Sequence, residues 1–316
     1  MSEQKNNLAF VFPGQGSQSI GMMADLAESF SSVKQTFEQA SDVLSFDLWQ
    51  LIQQGPVEDL NQTHNTQPAM LAAGVAMWRV WCEQTTVVPA WMAGHSLGEY
   101  SALVCAQALS FEDGIALVAA RGRLMQQAVP VGIGAMAAII GLKDQQVIDV
   151  CAEHAEHEVV SAVNFNAPGQ VVIAGHVAAV ERAMLAAKEA GAKRALPLPV
   201  SVPSHCALME SAAEKLYEKL QAVKIGEPQM RLIHNADVMS HSSATEIRAA
   251  LKEQLFKPVR WVDSVSHMHE QEVTRFVECG PGKVLMGLNR RIAKAADHHT
   301  MYDAVTLEKV LEQVNG

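Results

Sequence analysis

A serine with a glycine two positions away on each side is the feature that most constrains this chain. Ser96 lies between Gly94 and Gly98 in the stretch Ala-Gly-His-Ser-Leu-Gly-Glu-Tyr at 93–100. An apolar run at 87–92 precedes it and residues at helical spacing follow it, which predicts a strand that turns directly into a helix. Side chains two residues before and after such a turn would collide, so glycine is required there. We therefore predict a sharp strand-to-helix turn that exposes the Ser96 hydroxyl.

A chance Gly-x-Ser-x-Gly in a loop is the alternative, and the five-residue pattern alone does not exclude it. The flanking strand and helix favour a nucleophilic serine. The backbone N–H of Leu97 is then expected to point outward at the helix N-terminus, where partial positive charge gathers.

Length and composition place the chain among globular proteins. Its 316 residues are 49% hydrophobic and 18% charged, which suits one large domain, or a large domain with a small one. No apolar run approaches the ~18 residues that span a bilayer, and the polar start lacks the apolar core of a signal peptide. We expect a cytoplasmic protein. The net charge of −10 argues against binding to nucleic acid or to an anionic membrane surface.

Cysteine and histidine usage gives no sign of a metal site. The five cysteines are scattered and form no Cys-x-x-Cys pair, which fits reduced thiols and argues against disulfides or zinc. None of the twelve histidines comes with the full ligand spacing of a known site. We predict no metal.

The first strand, at 8–12, ends in the glycine-rich turn Pro-Gly-Gln-Gly-Ser-Gln at 13–18. The turn fits neither nucleotide-binding template, because Ser19 stands where a third glycine belongs and no Gly-Lys-Ser/Thr follows. We interpret it as a tight loop that presents backbone N–H groups. Helical segments continue to about residue 85, and another helix is predicted near 112–128.

The region 129–199 has its own pattern. Strands are predicted at 134–141, 159–165, 170–174 and 194–200, with helices at 144–154 and 176–190. The order β-α-β-β-α-β is the ferredoxin-like pattern, so we predict a small inserted domain at 129–199. The remainder, 1–128 and 200–316, alternates strands and helices and predicts an α/β domain with a mainly parallel sheet.

A nucleophilic serine needs a base, and histidine has the right basicity at neutral pH. His205 follows a predicted strand, where sites form in open α/β sheets. An ordinary exposed histidine at a helix start, with Ser204 as its cap, is equally compatible with the sequence. His95 adjoins the serine but should project elsewhere, and Cys206 is interpreted as a buried thiol rather than a nucleophile.

Arg121 occupies the middle of an apolar helical stripe formed with Leu117, Val118, Leu124 and Met125. A guanidinium on an apolar face is costly unless an anion meets it. A structural salt bridge is one interpretation. The other is a fixed receptor for a substrate carboxylate, held by two parallel hydrogen bonds.

Several motifs together resemble the malonyl-CoA:acyl carrier protein transacylases, in the family's order and across nearly the whole chain. The matching stretches are Phe-Pro-Gly-Gln-Gly-Ser-Gln at 12–18, Gly-His-Ser-Leu-Gly-Glu-Tyr at 94–100, Ala-Ala-Arg-Gly-Arg-Leu-Met-Gln at 119–126, Val-Asn-Phe-Asn-Ala-Pro-Gly-Gln at 163–170, Val-Ser-Val-Pro-Ser-His-Cys at 200–206, Gln-Leu-Phe-Lys-Pro-Val-Arg-Trp at 254–261 and Glu-Cys-Gly-Pro-Gly-Lys-Val-Leu at 278–285.

The resemblance implies a role for each candidate residue. Ser96 would be the acylated nucleophile and His205 its base, with the backbone carbonyl of Gln254 orienting the imidazole. The backbone N–H groups of Gln15 and Leu97 would form the oxyanion hole, and Arg121 would bind the malonyl carboxylate.

The resemblance also implies an α/β-hydrolase-like large domain with a ferredoxin-like small one, malonyl-CoA and acyl carrier protein as substrates, no cofactor of its own, and a monomer. A serine thioesterase or hydrolase with the same turn is the main alternative. A nucleotide-binding module is the more distant one.

Acyl carrier proteins are acidic, so an acidic transacylase needs a local basic patch near its site. Lys283, Arg290, Arg291 and Lys294 form the densest basic cluster of the second half, and the last three can share one helical face. We predict that this cluster docks the carrier, with Lys257 and Arg260 as the next pair to consider.

Overall fold

Two β-sheets organise the computed structural model, which describes residues 3–200 and 202–315. The first sheet has five strands, all paired in parallel, in the order β7-β2-β1-β8-β9. Its strands are β1 (Glu3–Phe12), β2 (Val87–Gly94), β7 (Arg231–Ile233), β8 (Arg275–Cys279) and β9 (Asp297–Met301). The second sheet is antiparallel, in the order β4-β5-β3-β6. It contains β3 (Gly134–Ile140), β4 (Val160–Ala167), β5 (Gln170–His176) and β6 (Arg194–Pro197).

Helices surround both sheets. Before the second sheet they are α1 (Ala24–Ser29), α2 (Ser31–Leu44), α3 (Leu48–Gln54), α4 (Val57–Leu60), α5 (Thr63–Gln84), α6 (Gly98–Cys105) and α7 (Phe111–Ala128). Within the second sheet's segment are α8 (Asp144–His154) and α9 (Val177–Glu189). After it come α10 (Glu210–Ala222), α11 (Ala244–Gln254), α12 (Trp261–Glu270), α13 (Val284–Ile292) and α14 (Ala304–Asn315).

The parallel sheet is buried on both faces, as the continuous apolar run of β1 predicts. Because side chains alternate along a strand, Phe10 and Phe12 enter the larger core while Ala9 and Val11 enter a second core on the opposite face. Burial of each Phe side chain contributes ~1.5–3 kcal/mol. The predicted α/β architecture with a mainly parallel sheet is confirmed.

The antiparallel sheet carries α8 and α9 on one face, where an alanine-rich core packs. Its elements occur in the predicted order β-α-β-β-α-β. The last strand ends at Pro197, three residues before the predicted end. Ser201, in the predicted stretch at 200–206, lies outside the described residues.

The segment just before α12 pairs with the antiparallel sheet at Val259. Phe165 N–H in β4 donates to Val259 O at 3.0 Å, and Val259 N–H donates to Val163 O at 2.8 Å. The face of the antiparallel sheet opposite α8 and α9 carries Met136 and Val172, which line the same cavity as Ser96, the residue that follows β2. In the part of the chain that the structure describes, no helix is both long and apolar enough to cross a membrane.

Candidate active site

Ser96 lies at the apex of the turn between β2 and α6, with a φ of +52° that non-glycine residues rarely adopt. A Cβ on Gly94 would lie 1.8 Å from the carbonyl carbon of Gly98. A Cβ on Gly98 would lie 2.1 Å from Phe12 O. Both contacts are too close for any side chain, so the prediction that this turn requires both glycines is confirmed.

The Ser96 hydroxyl is hydrogen-bonded to His205, with 2.7 Å between Oγ and Nε2. On the other side of the ring, His205 Nδ1 lies 2.6 Å from Gln254 O. A carbonyl oxygen only accepts hydrogen bonds, so Nδ1 carries the proton and Nε2 presents its lone pair to the serine. His205 is 2% exposed, and is not the exposed histidine that the sequence also allowed.

The surroundings of His205 disfavour its protonation. Burial, followed by the positive charge of Arg121, lowers the pKa of His205 to about 3. The imidazole is therefore neutral around pH 7 and able to accept a proton from Ser96.

Arg121 is buried at 1% exposure on α7, and its guanidinium reaches the nucleophile. Nη2 donates to Ser96 Oγ at 3.2 Å and to Gln254 Oε1 at 3.0 Å. Nη1 donates to Gln67 Oε1 at 3.0 Å. Among the described residues no aspartate or glutamate forms an ion pair with Arg121. The structural salt bridge is thus not formed, and neutral amides leave the guanidinium charge available to an anion.

The glycine-rich turn after β1 lies against the Ser96 turn. His95 N–H donates to Phe12 O at 3.0 Å, and a Cβ on Gly14 would lie 2.5 Å from His95 O. Gln15 and Leu97 line the same cavity as Ser96. Within the described residues, the backbone N–H groups of Gln15 and Leu97 make no hydrogen bond to the protein.

The cavity above Ser96 has a volume of about 190 Å³. Its apolar walls come partly from α7, through Met125, and partly from the antiparallel sheet, through Met136 and Val172. His95 also borders it and is held by Asn166, with 2.7 Å between Nε2 and Oδ1. The cavity therefore lies between the Ser96 turn, α7 and the antiparallel sheet.

Several buried polar residues around the site were not predicted from the sequence. They are Gln67, Glu99, His234, Asn235 and the side chain of Gln254, all at most 1% exposed. Gln67 offered a signal, since it precedes ten residues of α5 that carry no polar side chain. Glu99 lies three residues after Ser96, whereas His234, Asn235 and Gln254 lie far from it in the sequence; the surroundings of these four residues give no comparable signal.

The predicted docking cluster, Lys283, Arg290, Arg291 and Lys294, is exposed, but its last three residues do not lie on one helix. Helix α13 ends at Ile292, so Lys294 lies in a turn beyond the helix and does not share a helical face with Arg290 and Arg291. Arg291 donates to Gln170 Oε1 at 2.6 Å and to Pro168 O at 2.7 Å, in the turn between β4 and β5. Lys283 precedes the helix.

Cysteines and metal-binding side chains are arranged as follows. Cys82 is exposed and the other four cysteines are buried, all of them unpaired. Burial raises the pKa of the Cys206 thiol to about 11, so it is a poor nucleophile near neutral pH. Across residues 3–200 and 202–315, no three His, Cys, Asp or Glu side chains group as metal ligands would.

Comparison with known proteins identifies relatives along nearly the full chain. A family model described as acyl transferase domain matches residues 9–309. The chain is 57% identical to the malonyl CoA-acyl carrier protein transacylase of Haemophilus influenzae, covering 96% of this chain and 98% of that one. It is 55% identical to the enzyme of the same name from Escherichia coli, with coverage of 96% and 98%.

Solved structures give the same result. An acyl carrier protein S-malonyltransferase from Vibrio cholerae superposes with a TM-score of 0.95 at 57% identity, covering 96% of this chain and 99% of that one. A malonyl-transacylase solved in complex with a type II PKS acyl-carrier protein superposes with a TM-score of 0.96 at 56% identity, with coverage of 97% and 99%. The chain therefore belongs to the acyl transferase family, in the group of the malonyl CoA-acyl carrier protein transacylases.

Proposed function

We propose that this protein transfers the malonyl group of malonyl-CoA to the phosphopantetheine thiol of an acyl carrier protein, supplying fatty acid elongation. One observation carries the proposal. Ser96 Oγ lies 2.7 Å from His205 Nε2 and 3.2 Å from Arg121 Nη2, so that a nucleophile, a base and a cation meet in one cavity.

The first half of the reaction acylates the enzyme. Ser96 Oγ attacks the thioester carbon of malonyl-CoA while His205 Nε2 takes the hydroxyl proton. The tetrahedral intermediate then collapses, the carbon–sulfur bond breaks, and His205 returns the proton to the departing thiolate of coenzyme A. The carbonyl of Gln254 supports both steps, since it keeps the other ring proton on Nδ1.

The second half repeats this chemistry with a different thiol. The phosphopantetheine thiol of the carrier gives its proton to His205 and attacks the carbonyl carbon of malonyl-Ser96. The ester bond to Ser96 Oγ breaks, and Oγ recovers the proton. No cofactor of the protein's own enters this proposal, because the thioester supplies the activated acyl group.

The oxyanion in both halves needs hydrogen-bond donors that are free before substrate arrives. Two observations support the backbone N–H groups of Gln15 and Leu97 as these donors: both residues line the cavity at Ser96, and neither N–H group is hydrogen-bonded within the described part of the protein. Each such donor is worth roughly 3 kcal/mol in a site shielded from water. Gly14 contributes by allowing the turn at Gln15 to approach the Ser96 turn closely.

Arg121 is proposed to receive the malonyl carboxylate in two parallel hydrogen bonds. The amides of Gln67 and Gln254 hold the guanidinium without neutralising it. A buried cation of this kind favours a substrate with a carboxylate over acetyl-CoA, which has none.

We also propose that the chain consists of two domains, with an α/β-hydrolase-like domain at 1–128 and 200–316 and a ferredoxin-like domain at 129–199. The strand order β4-β5-β3-β6 and the two helices on one face support the second assignment. The parallel sheet and the nucleophile turn after β2 support the first. A monomeric, cytoplasmic protein with no affinity for nucleic acid or membranes stays a prediction.

Denaturing mass spectrometry after mixing with malonyl-CoA tests the function. We expect a malonyl adduct on Ser96 that persists until an acyl carrier protein bearing phosphopantetheine is added, and then moves to the carrier. Ser96→Ala should show no adduct. Rapid release of free malonate without the carrier would instead identify a hydrolase, and the absence of both adduct and malonate would contradict an enzymatic role.

A further inference from the structure

Two side-chain amides hold the backbone on both sides of Ser96. Asn235, which follows β7, accepts from Ser96 N–H through Oδ1 at 2.7 Å and donates through Nδ2 to Gly94 O at 2.7 Å. Gln254 donates through Nε2 to Ser96 O at 2.9 Å. The Ser96 carbonyl also accepts from Glu99 N–H at 3.1 Å, within the turn itself. The left-handed conformation of Ser96 is therefore held at its N–H by Asn235, and at its carbonyl by Gln254 together with this local bond.

A buried carboxyl group holds both amides in place. Glu99, on the first turn of α6, accepts at Oε2 from Asn235 N–H at 3.0 Å and from Gln254 Nε2 at 2.9 Å. Its other oxygen, Oε1, lies 2.7 Å from His234 Nδ1. All four side chains are at most 1% exposed, so water does not compete for these hydrogen bonds.

The peptide group after Ser96 links this network to the chemistry. The carbonyl that Gln254 holds and the N–H of Leu97 belong to the same planar peptide unit. Holding the carbonyl therefore constrains the direction of the N–H of Leu97, a residue that lines the cavity. A donor to the carbonyl also polarises the unit and strengthens its N–H as a donor.

We propose that Asn235 and the side chain of Gln254 are positioning residues for acyl transfer. Their hydrogen bonds set the direction of the Ser96 hydroxyl and of the Leu97 N–H, and Glu99 holds Asn235 and Gln254 in position. For Gln254 this role is separate from its backbone contact with His205, which any side chain at this position would keep. The role rests on the proposed function, because it acts through the acylation of Ser96.

Single-turnover acylation by saturating malonyl-CoA tests this role, with the adduct followed by rapid quench and mass spectrometry. Asn235→Leu removes both hydrogen bonds of the amide at similar volume, and should slow acylation about 100-fold, as displacements of about 1 Å in a site can. Asn235→Asp keeps an acceptor for Ser96 N–H and loses the donor to Gly94 O, so a smaller loss is expected. The concentration of malonyl-CoA at half-saturation should stay unchanged in both.

Gln254→Met tests the second amide while keeping the backbone carbonyl that faces His205. It should slow acylation by malonyl-CoA and by acetyl-CoA alike, because an oxyanion forms with both. The pH dependence of acylation should not move, since the contact of His205 with the backbone remains. A loss confined to malonyl-CoA would show that Gln254 acts only through Arg121, and would overturn its proposed role.

Asn289→Leu is the matched control. Asn289 is a buried asparagine of α13 whose Oδ1 accepts from Trp261 Nε1 at 2.9 Å. This variant should lower the melting temperature and leave the acylation rate of folded protein unchanged. Acylation of Asn235→Leu at the wild-type rate would overturn the role of Asn235. If Asn235→Leu does not fold, acylation of Asn235→Asp at the wild-type rate would overturn it instead. A wild-type protein that malonyl-CoA does not acylate would contradict the proposed function itself, and this role with it.

Discussion

Arg121 is a charged side chain that is buried in an apolar interior. Its guanidinium is held by amide and hydroxyl oxygens, while Nε has no hydrogen-bond partner among the described residues. Desolvation of the cation is costly and lowers the pKa of Arg121 below its usual value. A substrate carboxylate would offset that cost, whereas an uncharged acyl group would not.

Arg121→Ala should therefore lose malonyl transfer far more than acetyl transfer. We expect a fall of at least about 100-fold in kcat/KM for malonyl-CoA, since a desolvated charge pair with hydrogen bonds contributes about 3 kcal/mol or more. The kcat/KM for acetyl-CoA should fall much less. Arg123→Ala, two residues away and exposed, is the control and should leave both rates unchanged. Equal losses for both substrates would contradict the assignment.

His205 gives a prediction on pH. Its pKa is lowered to about 3, so the free enzyme keeps a neutral base well below the usual histidine range near 6.5. The kcat/KM for acetyl-CoA should therefore stay level as the pH falls from 8 through about 6. In Arg121→Ala the neighbouring charge is gone, so the pKa of His205 should rise and the acid limb should move to higher pH. An acid limb near pH 6.5 in both proteins would contradict this.

The same shift affects stability, with a definite sign. Between about pH 3 and about pH 6.5 the unfolded chain binds a proton at residue 205 that the folded protein does not. The free energy of unfolding therefore falls as the pH falls through this range, and this contribution is constant above it. His205→Gln should have a weaker dependence of stability on pH there, as measured by urea unfolding.

At the scale of elements, helix α13 is capped by a residue outside the helix. Among the residues that the structure describes, its N-cap residue, Lys283, makes no side-chain capping bond. Instead Glu278, buried at the end of β8, accepts from Leu285 N–H at 3.1 Å and from Met286 N–H at 2.8 Å. Burial raises the pKa of Glu278 to about 7 although these backbone donors favour its ionised form.

Glu278→Ala should destabilise the protein by about 1–3 kcal/mol, because it leaves buried N–H groups at the start of α13 without acceptors. Urea unfolding at a fixed pH would measure the change. Glu270→Ala removes an exposed carboxyl group from α12 and should stay within about 0.5 kcal/mol of the wild type. A similar cost for both variants would show that Glu278 is not needed to cap α13.

The sequence predicts strands and helices well where the hydrophobic periodicity and the positions of glycines indicate the same boundaries. The strand, turn and helix around Ser96 follow from the positions of Gly94 and Gly98, and the order of elements from β3 to β6 follows from alternation and turn residues. The hydrogen-bond network formed by the side chains of Asn235, Gln254 and Glu99 could not be predicted in this way. It joins three distant segments through side-chain hydrogen bonds, and these leave no period in the sequence. The helical face that Arg290, Arg291 and Lys294 were predicted to share is not formed, because α13 ends at Ile292 and no glycine or proline between Arg291 and Lys294 marks that end.

At the scale of the whole molecule, the net charge of −10 opposes the approach of an acidic carrier. Lys283, Arg290 and Lys294 remain exposed and can act over short distances, within about one Debye length of ~8 Å at physiological salt. Arg291 is also exposed but is hydrogen-bonded to Gln170 and Pro168, so that it joins α13 to the antiparallel sheet. Substitution of Arg291 would disrupt this contact as well as any docking of the carrier, so a change in the carrier KM would not report docking alone.

We predict that Arg290→Glu combined with Lys294→Glu raises the KM for the acyl carrier protein and leaves acylation by malonyl-CoA unchanged. Electrostatic steering is lost, while the site itself is not altered. The wild-type KM for the carrier should also rise with salt. Lys215→Glu with Lys219→Glu, on exposed positions of α10, changes the net charge equally and serves as the control. An equal rise of the carrier KM in both pairs would show that only overall charge matters. An unchanged carrier KM in Arg290→Glu with Lys294→Glu would show that docking lies elsewhere, with Lys257 and Arg260 as the next pair to test.

The cavity borders the antiparallel sheet, and this has a consequence for how such an enzyme can diversify. The proposed nucleophile Ser96 and its proposed base His205 belong to segments outside this sheet, whereas Met136 and Val172 on the sheet form part of the cavity wall. Mutations in the wall can therefore alter the range of accepted acyl groups while the chemistry is inherited unchanged. Laboratory evolution towards bulkier building blocks should accordingly collect its first successful substitutions on the antiparallel sheet.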